Sequence, residues 1–521
     1  MKTLATAPEL IHIHPADNVV VAVKAIEAGT RTDFNGDELE FREDIPPGHK
    51  IATTDLRAGE RVIKYGHVIG QITEPVRRGG WIHSHNLATL LSDDGNYVYQ
   101  PSGIHNASPN GVLPSSRRPG ASTSPDSTVP TFMGYRRPDG RVGTRNEIWV
   151  INTVGCVNRS AQRIARMSND RFAGDIDGVH AFAHPFGCSQ LGDDLRYTQR
   201  ILAGLIRHPN AGGAVVIGLG CENNQMDDLL ALAGDVDRER IRFFNSQEVL
   251  DEVEEGVEAV EELVQIIKDD RRSKCPVTDL MIGLKCGGSD GFSGISANPV
   301  LGRVADRLTA YGGTALLTEI PEMFGAEQQL MNRAVDSETF DRVVSMINDF
   351  KEYFISHGQP VYENPSPGNK EGGLTTLEEK SLGATQKGGL APVARVLEYG
   401  ESAPVGAGGL ALLYAPGNDG VSVTAEVAAG ATIVLFTTGR GTPLGFPVPT
   451  LKISSNSEIA EKKPHWIDFN CGAVLDGAST MDESADALFD VILRVASGEQ
   501  RAKNELNDYR EIAIWKEGVT L

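Results

Sequence analysis

Along the first hundred residues, apolar side chains come in short alternating runs: VVVAVKAI (19–26), HKIATTDL (49–56) and RVIKYGHVIGQI (61–72), separated by turns such as Pro46-Pro47-Gly48. A period of two bounded by Gly and Pro predicts short strands, hence a small all-β module over residues 1–101. Residues 102–130, SGIHNASPNGVLPSSRRPGASTSPDSTVP, are rich in Ser, Pro, Gly and Asn and hold few apolar side chains. They predict a flexible linker that tethers the module rather than fusing it.

Beyond residue 130 the pattern changes to continuous apolar runs followed by helix-like stretches: EIWVINTV, GVHAFAH, GAVVIGLG, LMIGL, TALLTEI, LALLYAPG and TIVLFTTG. Runs of Val, Ile and Leu without alternation fit strands covered on both faces, so they predict a Rossmann-like parallel α/β body. We divide it into a middle α/β domain over 131–270 and a C-terminal Rossmann-like domain over 271–521. The helical stretch 325–358 and the Gly-rich stretch 364–390 interrupt the alternation and predict an insertion or an interface.

A chain of 521 residues is long enough for about three domains. Its 70 acidic against 49 basic side chains, a net charge of −21, disfavour nucleic acid or an anionic membrane as partner. A small-molecule enzyme is the natural class. The N-terminal stretch MKTLATAPELIHIHP lacks the apolar run of a signal peptide, and no segment approaches the roughly 18 apolar residues of a membrane span, so we expect a cytoplasmic protein with reduced thiols.

Four of the six cysteines stand just past predicted strand ends: Cys156 after IWVINTVG, Cys188 after VHAFAHPFG, Cys221 after AVVIGLG and Cys286 after MIGLK. Ligands of open α/β sheets bind at that edge, where loops and helix N-termini converge. A single free cysteine is more often a small core residue; four at equivalent positions predict a metal site. Thiolates beside an imidazole favour iron or zinc, and His184 lies four residues before Cys188. Glu222, Asp290 and Glu319 could complete an oxygen-rich site, although carboxylates in such places also cap helices. Cys275 and Cys471 share no such pattern and read as structural.

Two loops, NPSPGNKEGG (364–373) and TTGRGTPLG (437–445), each offer backbone N–H groups and one cation, Lys370 or Arg440, suited to a carboxylate or hydroxyls. Each also suits an ordinary Gly-Pro turn. In WIHSHNL, His83 and His85 fall at i and i+2 on one face of a predicted strand, which makes them either half of a metal or polyol site or an exposed polar face.

Taken in order, DNVVVAV, GHKIA, VIKYGHVIGQ, GRVGTRNE, TVGCVN, GCSQLGDD, VIGLGCENNQ, CGGSDGFSGISANP, TEIPEMFGAEQ, YENPSPGNKEGG, TLEEKSLG, APGNDG, FTTGRGTP and KKPHWIDF resemble the altronate and galactarate dehydratase family of sugar-acid hydro-lyases over essentially the whole chain. HSHN, GCSQLGDD, CENNQ and the ending NDYREIAIWKEGVTL follow the altronate branch, which makes HSHN a candidate for distinguishing substrates.

The resemblance implies a β-clip, SAF-like N-terminal domain, a dimerising middle region and hence a homodimer, and dependence on Fe2+ (or Mn2+). It implies dehydration of D-altronate to 2-dehydro-3-deoxy-D-gluconate in galacturonate breakdown. The alternatives are another aldonate or aldarate such as galactarate, or a non-catalytic sugar-acid binder. The catalytic set so implied is His83, His85, His184 and Lys380. The substrate would meet Asn86, Ser289, Asp290, Asn369, Lys370, Arg440 and Thr442, with Lys370 and Arg440 on its carboxylate and His83 and His85 swinging in on the linker. The metal would lie near Cys156, Cys188, Cys221, Cys286 and Glu222, either as a mononuclear ion or as an iron–sulfur cluster held by three of the thiols.

Overall fold

The computed structural model describes residues 10–91, 95, 97–101, 129–172 and 174–521. The expected linker falls almost wholly outside the described residues. The N-terminal module holds strands β1 (Leu10–Ile11), β2 (Val19–Ala22), β3 (Arg31–Phe34), β4 (Asp37–Glu40), β5 (Lys50–Ala52), β6 (Arg61–Lys64), β7 (His67–Ile72), β8 (Trp81–Ile82) and β9 (Leu87–Ala88). They form an antiparallel sheet ordered β1-β2-β5-β8, a β3-β4 hairpin and a β6-β7-β9 sheet. Tyr65 and Gly66, at φ 61° and 75°, turn β6 into β7. Two positive-φ residues in a two-residue loop match the right-handed twist of the paired strands.

This module is docked on the body. Lys50 and Lys64, neither exposed at all, both pair with Glu379, at 2.9 and 2.8 Å. The Thr376 hydroxyl donates to the Ile69 carbonyl at 2.5 Å, and the Tyr97 hydroxyl donates to Glu327 at 2.7 Å. The expectation of a module held only by its tether is corrected. Two ammonium groups cannot stay buried without the carboxylate that the body supplies.

In the middle domain, β10 (Thr131–Arg136) and β11 (Val142–Gly143) precede β12 (Glu147–Asn152), β13 (Gly178–Ala181), β14 (Ala211–Gly218) and β15 (Ile241–Asn245). The last four make a parallel sheet ordered β13-β12-β14-β15. All six residues of β12 are buried, Ile148 and Val150 on one face in one apolar cluster, Trp149 and Ile151 on the other in a second. That second cluster continues into the C-terminal domain. A Cβ on Gly204 would fall 2.5 Å from the Ala428 carbonyl oxygen, so the helices Gly192–Ile206 and Asp419–Ala429 touch backbone to backbone. The short strand β16 (Ser273–Pro276) returns to pair with β10.

The C-terminal sheet contains β17 (Met281–Cys286), β18 (Thr314–Leu317), β19 (Val393–Leu397), β20 (Gly409–Leu413), β21 (Ile433–Thr438), β22 (Thr450–Ser454) and β23 (Phe469–Asn470). All are parallel, in the order β19-β20-β18-β17-β21-β22-β23. The chain runs outward from β17 to one side and then from β21 to the other, so the direction of winding reverses between these two central strands. The segment between β18 and β19 carries the helices Ser337–Ser356, Pro367–Glu371 and Leu377–Ala384. The last of these bears Glu379, so this interruption of the alternation is where the β module docks.

Candidate active site

In open α/β sheets the ligand crevice lies at the carboxyl edge where winding reverses, which here is the edge formed by the ends of β17 and β21. Cys286, ending β17, lies beside Thr437 of β21. Beyond them, the Gly288 carbonyl accepts the N–H groups of Gly439 and Arg440, both at 3.0 Å, and ties the loops together. Gly288 sits at φ 62°, and a Cβ on Gly439 would fall 2.1 Å from Asp290 Cγ, so neither position tolerates a side chain.

Asp290 is the knot of these loops. It accepts from the Ser293 N–H (2.9 Å) and hydroxyl (2.8 Å), the Ser455 hydroxyl (2.8 Å) and Asn456 Nδ2 (3.0 Å). Burial pushes its carboxyl up, against these donors. These bonds make it an organiser of the loops, its acceptor capacity spent inside the protein. Asn369 is likewise spent: Nδ2 donates to the Ser289 carbonyl at 2.8 Å, and Oδ1 accepts from Lys380 at 3.1 Å. Ser289 itself is buried, and Thr442 Oγ1 accepts the Leu444 N–H at 3.2 Å.

The β module closes one wall of the crevice. A Cβ on Gly291 would fall 2.1 Å from the Gly48 carbonyl oxygen, so the two backbones touch. The adjoining His49 accepts at Nδ1 from the Trp81 indole N–H (3.1 Å) and meets the Glu371 carbonyl at 3.1 Å through Nε2, which fixes a neutral Nε2–H tautomer. His83 stacks on Trp81 with ring centroids 5.3 Å apart and planes 7° apart, and lies 4.9 Å from the His49 ring; His85 lies 5.2 Å from Trp81. The strand expected over HSHN is corrected. β8 ends at Ile82, and residues 83–86 form a turn held by Asn86, whose Oδ1 accepts the His83 N–H (2.9 Å) and whose Nδ2 donates to the Trp81 carbonyl (2.8 Å). Asn86 therefore shapes the turn, and the aromatic stack, rather than strand alternation, gathers the imidazoles.

His83 Nδ1 is buried without a partner among the described residues. Burial, followed by the charge of Lys50, pushes this imidazole down to about 4, so it is neutral at physiological pH. Arg440 is exposed and pairs with Glu371, whose carbonyl meets His49, at 2.9 Å, while Lys370 sits half-buried on the short helix Pro367–Glu371.

Beneath the crevice runs a buried line of charge. Cys286 Sγ lies 2.7 Å from Lys387 Nζ and 3.5 Å from Glu322 Oε2. Lys387 also holds Glu319 at 2.9 Å, Lys285 bridges Glu319 to Asp419, and Lys380 holds Glu322 at 2.7 Å with Asn364 at 3.0 Å. Glu319 adopts a left-handed conformation, φ 71°, which costs a non-glycine residue about 1–3 kcal/mol and persists because the buried ion pairs hold it.

Cys286, Glu319 and Glu322 are the only described set of three potential metal donors within 4.8 Å of one another. They do not fit a divalent ion. Three ammonium groups already balance the three carboxylates, and burial, followed by the charge of Glu319, pushes the Cys286 thiol up to about 12, so it is protonated. A dication added there would leave two uncompensated positive charges in a dry interior. Cys286 is a thiol set inside an ion-pair network with Lys387, Glu319 and Glu322.

Cys156, Cys188 and Cys221 stand at the carboxyl edge of the other sheet, all exposed. His184 and Glu222 brace the loops there. His184 Nε2 meets the Asn152 carbonyl at 2.8 Å, and its Nδ1 accepts the Phe186 N–H at 3.2 Å. Glu222 accepts from the N–H groups of Leu219 (3.0 Å) and Gly220 (2.7 Å) and from the Thr153 hydroxyl. Both side chains thus spend their polar atoms on the loops around the thiols, His184 on backbone groups and Glu222 on two backbone N–H groups and the Thr153 hydroxyl. Cys275 and Cys471 are fully buried in the core.

The sequence pattern did not single out His49, Lys50, Lys64, Glu322, Glu379 or Lys387. One signal was available: Lys285 interrupts the apolar strand MIGLKC, and a lysine with apolar neighbours on both sides must meet a buried carboxylate.

Three family models match the chain: the altronate/galactarate dehydratase SAF domain over residues 8–90, the D-galactarate dehydratase/altronate hydrolase second domain over 134–268, and the D-galactarate/altronate dehydratase C-terminal domain over 277–520. Altronate dehydratases of Bacillus subtilis (strain 168) and Escherichia coli (strain K12) are each 48% identical to it, covering 98% of the chain and 99% and 100% of their own lengths. A galactarate dehydratase (L-threo-forming) of Escherichia coli (strain K12) is 35% identical over 94% of the chain and 93% of its own length.

Proposed function

Because the chain belongs to the altronate/galactarate dehydratase family and is a sugar-acid dehydratase, we propose that its crevice between β module and C-terminal sheet converts D-altronate to 2-dehydro-3-deoxy-D-gluconate. The observation that carries this reading is the neutral His83, with an unfilled Nδ1, stacked in a wall that ends at the lip bearing Lys370 and Arg440.

The C2 proton of an aldonate is weakly acidic, because removing it leaves negative charge shared with the carboxylate. Lys370 and Arg440 receive that carboxylate and stabilise the enediolate as its charge develops. Arg440 exchanges its present partner, the exposed Glu371, for the substrate. His83 takes the C2 proton, and its neutral form is the one able to do so. His85 donates a proton to the departing 3-hydroxyl, which leaves as water while C2 and C3 become doubly bonded. The enol then ketonises, its O2 proton lost and C3 protonated. Lys380, held by Glu322, Asn364 and Asn369, keeps the loop 364–371 in place behind the substrate.

Among the described residues, the one close set of three donors, Cys286, Glu319 and Glu322, does not fit the expected Fe2+ or Mn2+, and no step here is routed through a metal. The exposed thiols fit iron better than manganese, which favours oxygen ligands. Incubating the protein with D-altronate, galactarate and related aldonates side by side, and following 2-keto acid release, tests the substrate. Faster turnover of galactarate than of altronate would overturn the assignment.

A further inference from the structure

We propose, resting on the assignment of the crevice to sugar-acid dehydration, that His49 is a positioning residue that couples the cationic lip of the crevice to its imidazole wall. An unbroken chain of contacts joins the two. The Arg440 guanidinium pairs with the Glu371 carboxylate at 2.9 Å, and the Glu371 carbonyl meets His49 Nε2 at 3.1 Å. His49 Nδ1 accepts the Trp81 indole N–H at 3.1 Å, and the Trp81 ring lies stacked on His83 with centroids 5.3 Å apart. Within this chain, the bond from His49 to Glu371 is the one that crosses from the β module to the C-terminal domain.

Glycines make the crossing possible. His49 follows Gly48, at φ 81°, and lies against Gly373, at φ 103°. A Cβ on Gly373 would fall 2.4 Å from the Gly48 carbonyl oxygen and 3.3 Å from His49 Cδ2, so a bare backbone there lets the imidazole reach the end of the helix Pro367–Glu371. The ring is 3% exposed, and its two nitrogens have partners of opposite kind, an N–H donor at Nδ1 and a carbonyl acceptor at Nε2. Only the neutral ring protonated at Nε2 satisfies both, because a proton on Nδ1 would set two donors against each other. Burial, the largest cause, also pushes this imidazole below its ordinary value.

Glu371 thereby has two separate roles. Its side chain is 72% exposed, and an exposed ion pair contributes little, so a substrate carboxylate can replace it on Arg440. Its carbonyl stays on His49 meanwhile and keeps the helix end, with Lys370 beside it, in place. On the other side, the bond to the indole N–H holds the Trp81 ring, and the planes of Trp81 and His83 lie 7° apart. One ring thus places both the lip and the base before substrate arrives, which is the preorganisation a proton transfer needs.

Two substitutions divide the roles of the ring. Asn carries an acceptor oxygen where His carries Nδ1, and Gln carries N–H donors where His carries Nε2. His49→Asn therefore keeps the bond to Trp81 and loses the bond to Glu371, and His49→Gln does the reverse. We expect His49→Asn to raise KM for D-altronate roughly 3- to 10-fold, the loss of one neutral hydrogen bond, with a smaller change in kcat. His49→Gln should lower kcat roughly 10- to 100-fold, the range reached when a reacting group is displaced by about 1 Å, with KM nearly unchanged. Trp81→Phe, which keeps a ring but loses the N–H, should follow His49→Gln. A residue that only holds the domains together would affect both constants alike in the two variants, so indistinguishable His49→Asn and His49→Gln enzymes would overturn the proposal. Nitrogen-15 NMR of the histidine-labelled wild-type protein needs no turnover. It should show His49 protonated at Nε2 and bare at Nδ1, and a proton on Nδ1 would overturn the proposal whether or not the variants fold. His83→Gln is measured alongside. Native kcat in that variant would sink the assignment of the crevice and this coupling with it, whereas an impaired His83→Gln beside indistinguishable His49 variants would sink the coupling alone.

Discussion

Lys50 of the β module and Glu379 of the body form an ion pair 2.9 Å long in which neither side chain meets solvent. Glu379 takes Lys64 on its other oxygen at 2.8 Å and the Thr375 N–H at 2.9 Å, so one carboxylate holds two lysines of one domain to a helix of another. Burial alone would raise its pKa. The two lysines win, and its carboxyl lies well below the usual range.

Replacing Glu379 by Gln leaves two buried ammonium groups without a counter-charge. Breaking a buried pair this way costs about 3–5 kcal/mol. We expect a lower urea midpoint and faster hydrogen exchange in β5 and β6. Unchanged exchange there would mean that docking does not depend on this pair. Because the carboxyl is depressed in the folded state, its contribution is present above the usual carboxylate value and lost as pH falls below about 4.

His83→Gln should lower kcat by roughly 10²–10⁴, the usual worth of a general base. Since His83 must be neutral and titrates at about 4, the acid limb of kcat/KM should fall well below the pH at which a free histidine titrates. A limb near pH 6.5, or a variant with native kcat, would assign the base elsewhere.

Arg440→Met should raise KM by roughly 10- to 100-fold with a smaller change in kcat, the loss expected for a hydrogen bond to a charged group at about 1.5–3 kcal/mol. Arg440→Lys should recover only part, because it keeps the charge without the planar fork.

Glu426 lies behind β17, with Oε1 accepting the Leu284 N–H at 3.0 Å and Oε2 buried without a partner among the described residues. Burial, then the charge of Glu319, pushes it up to about 8. An acid raised in the folded state stabilises the fold fully below its ordinary value, and that contribution is lost as pH rises toward 8. Glu426→Gln should therefore flatten the fall in melting temperature between pH 6 and pH 9; an unchanged slope would remove Glu426 as its cause.

Cys286 should resist iodoacetamide in the folded protein, since its thiol is buried and protonated at neutral pH. Cys156, Cys188 and Cys221 should be labelled first. Mass spectrometry of the alkylated peptides separates the two groups.

The sequence by itself determined the β module, the parallel body and the strand-end positions of the thiols, because apolar period and Gly-Pro punctuation are local consequences of backbone geometry. EIWVINTV, TALLTEI and TIVLFTTG lie on β12, β18 and β21 for that reason. Only the tertiary structure decided which strand ends share an edge. Cys286 and the other three thiols have the same local signature, yet they belong to different sheets, since pairing between strands far apart in the chain leaves no mark on either strand alone. It also decided which groups His184, Asn86 and Asp290 bond to: a polar side chain looks equally available in every loop until the backbone groups it must satisfy are folded against it.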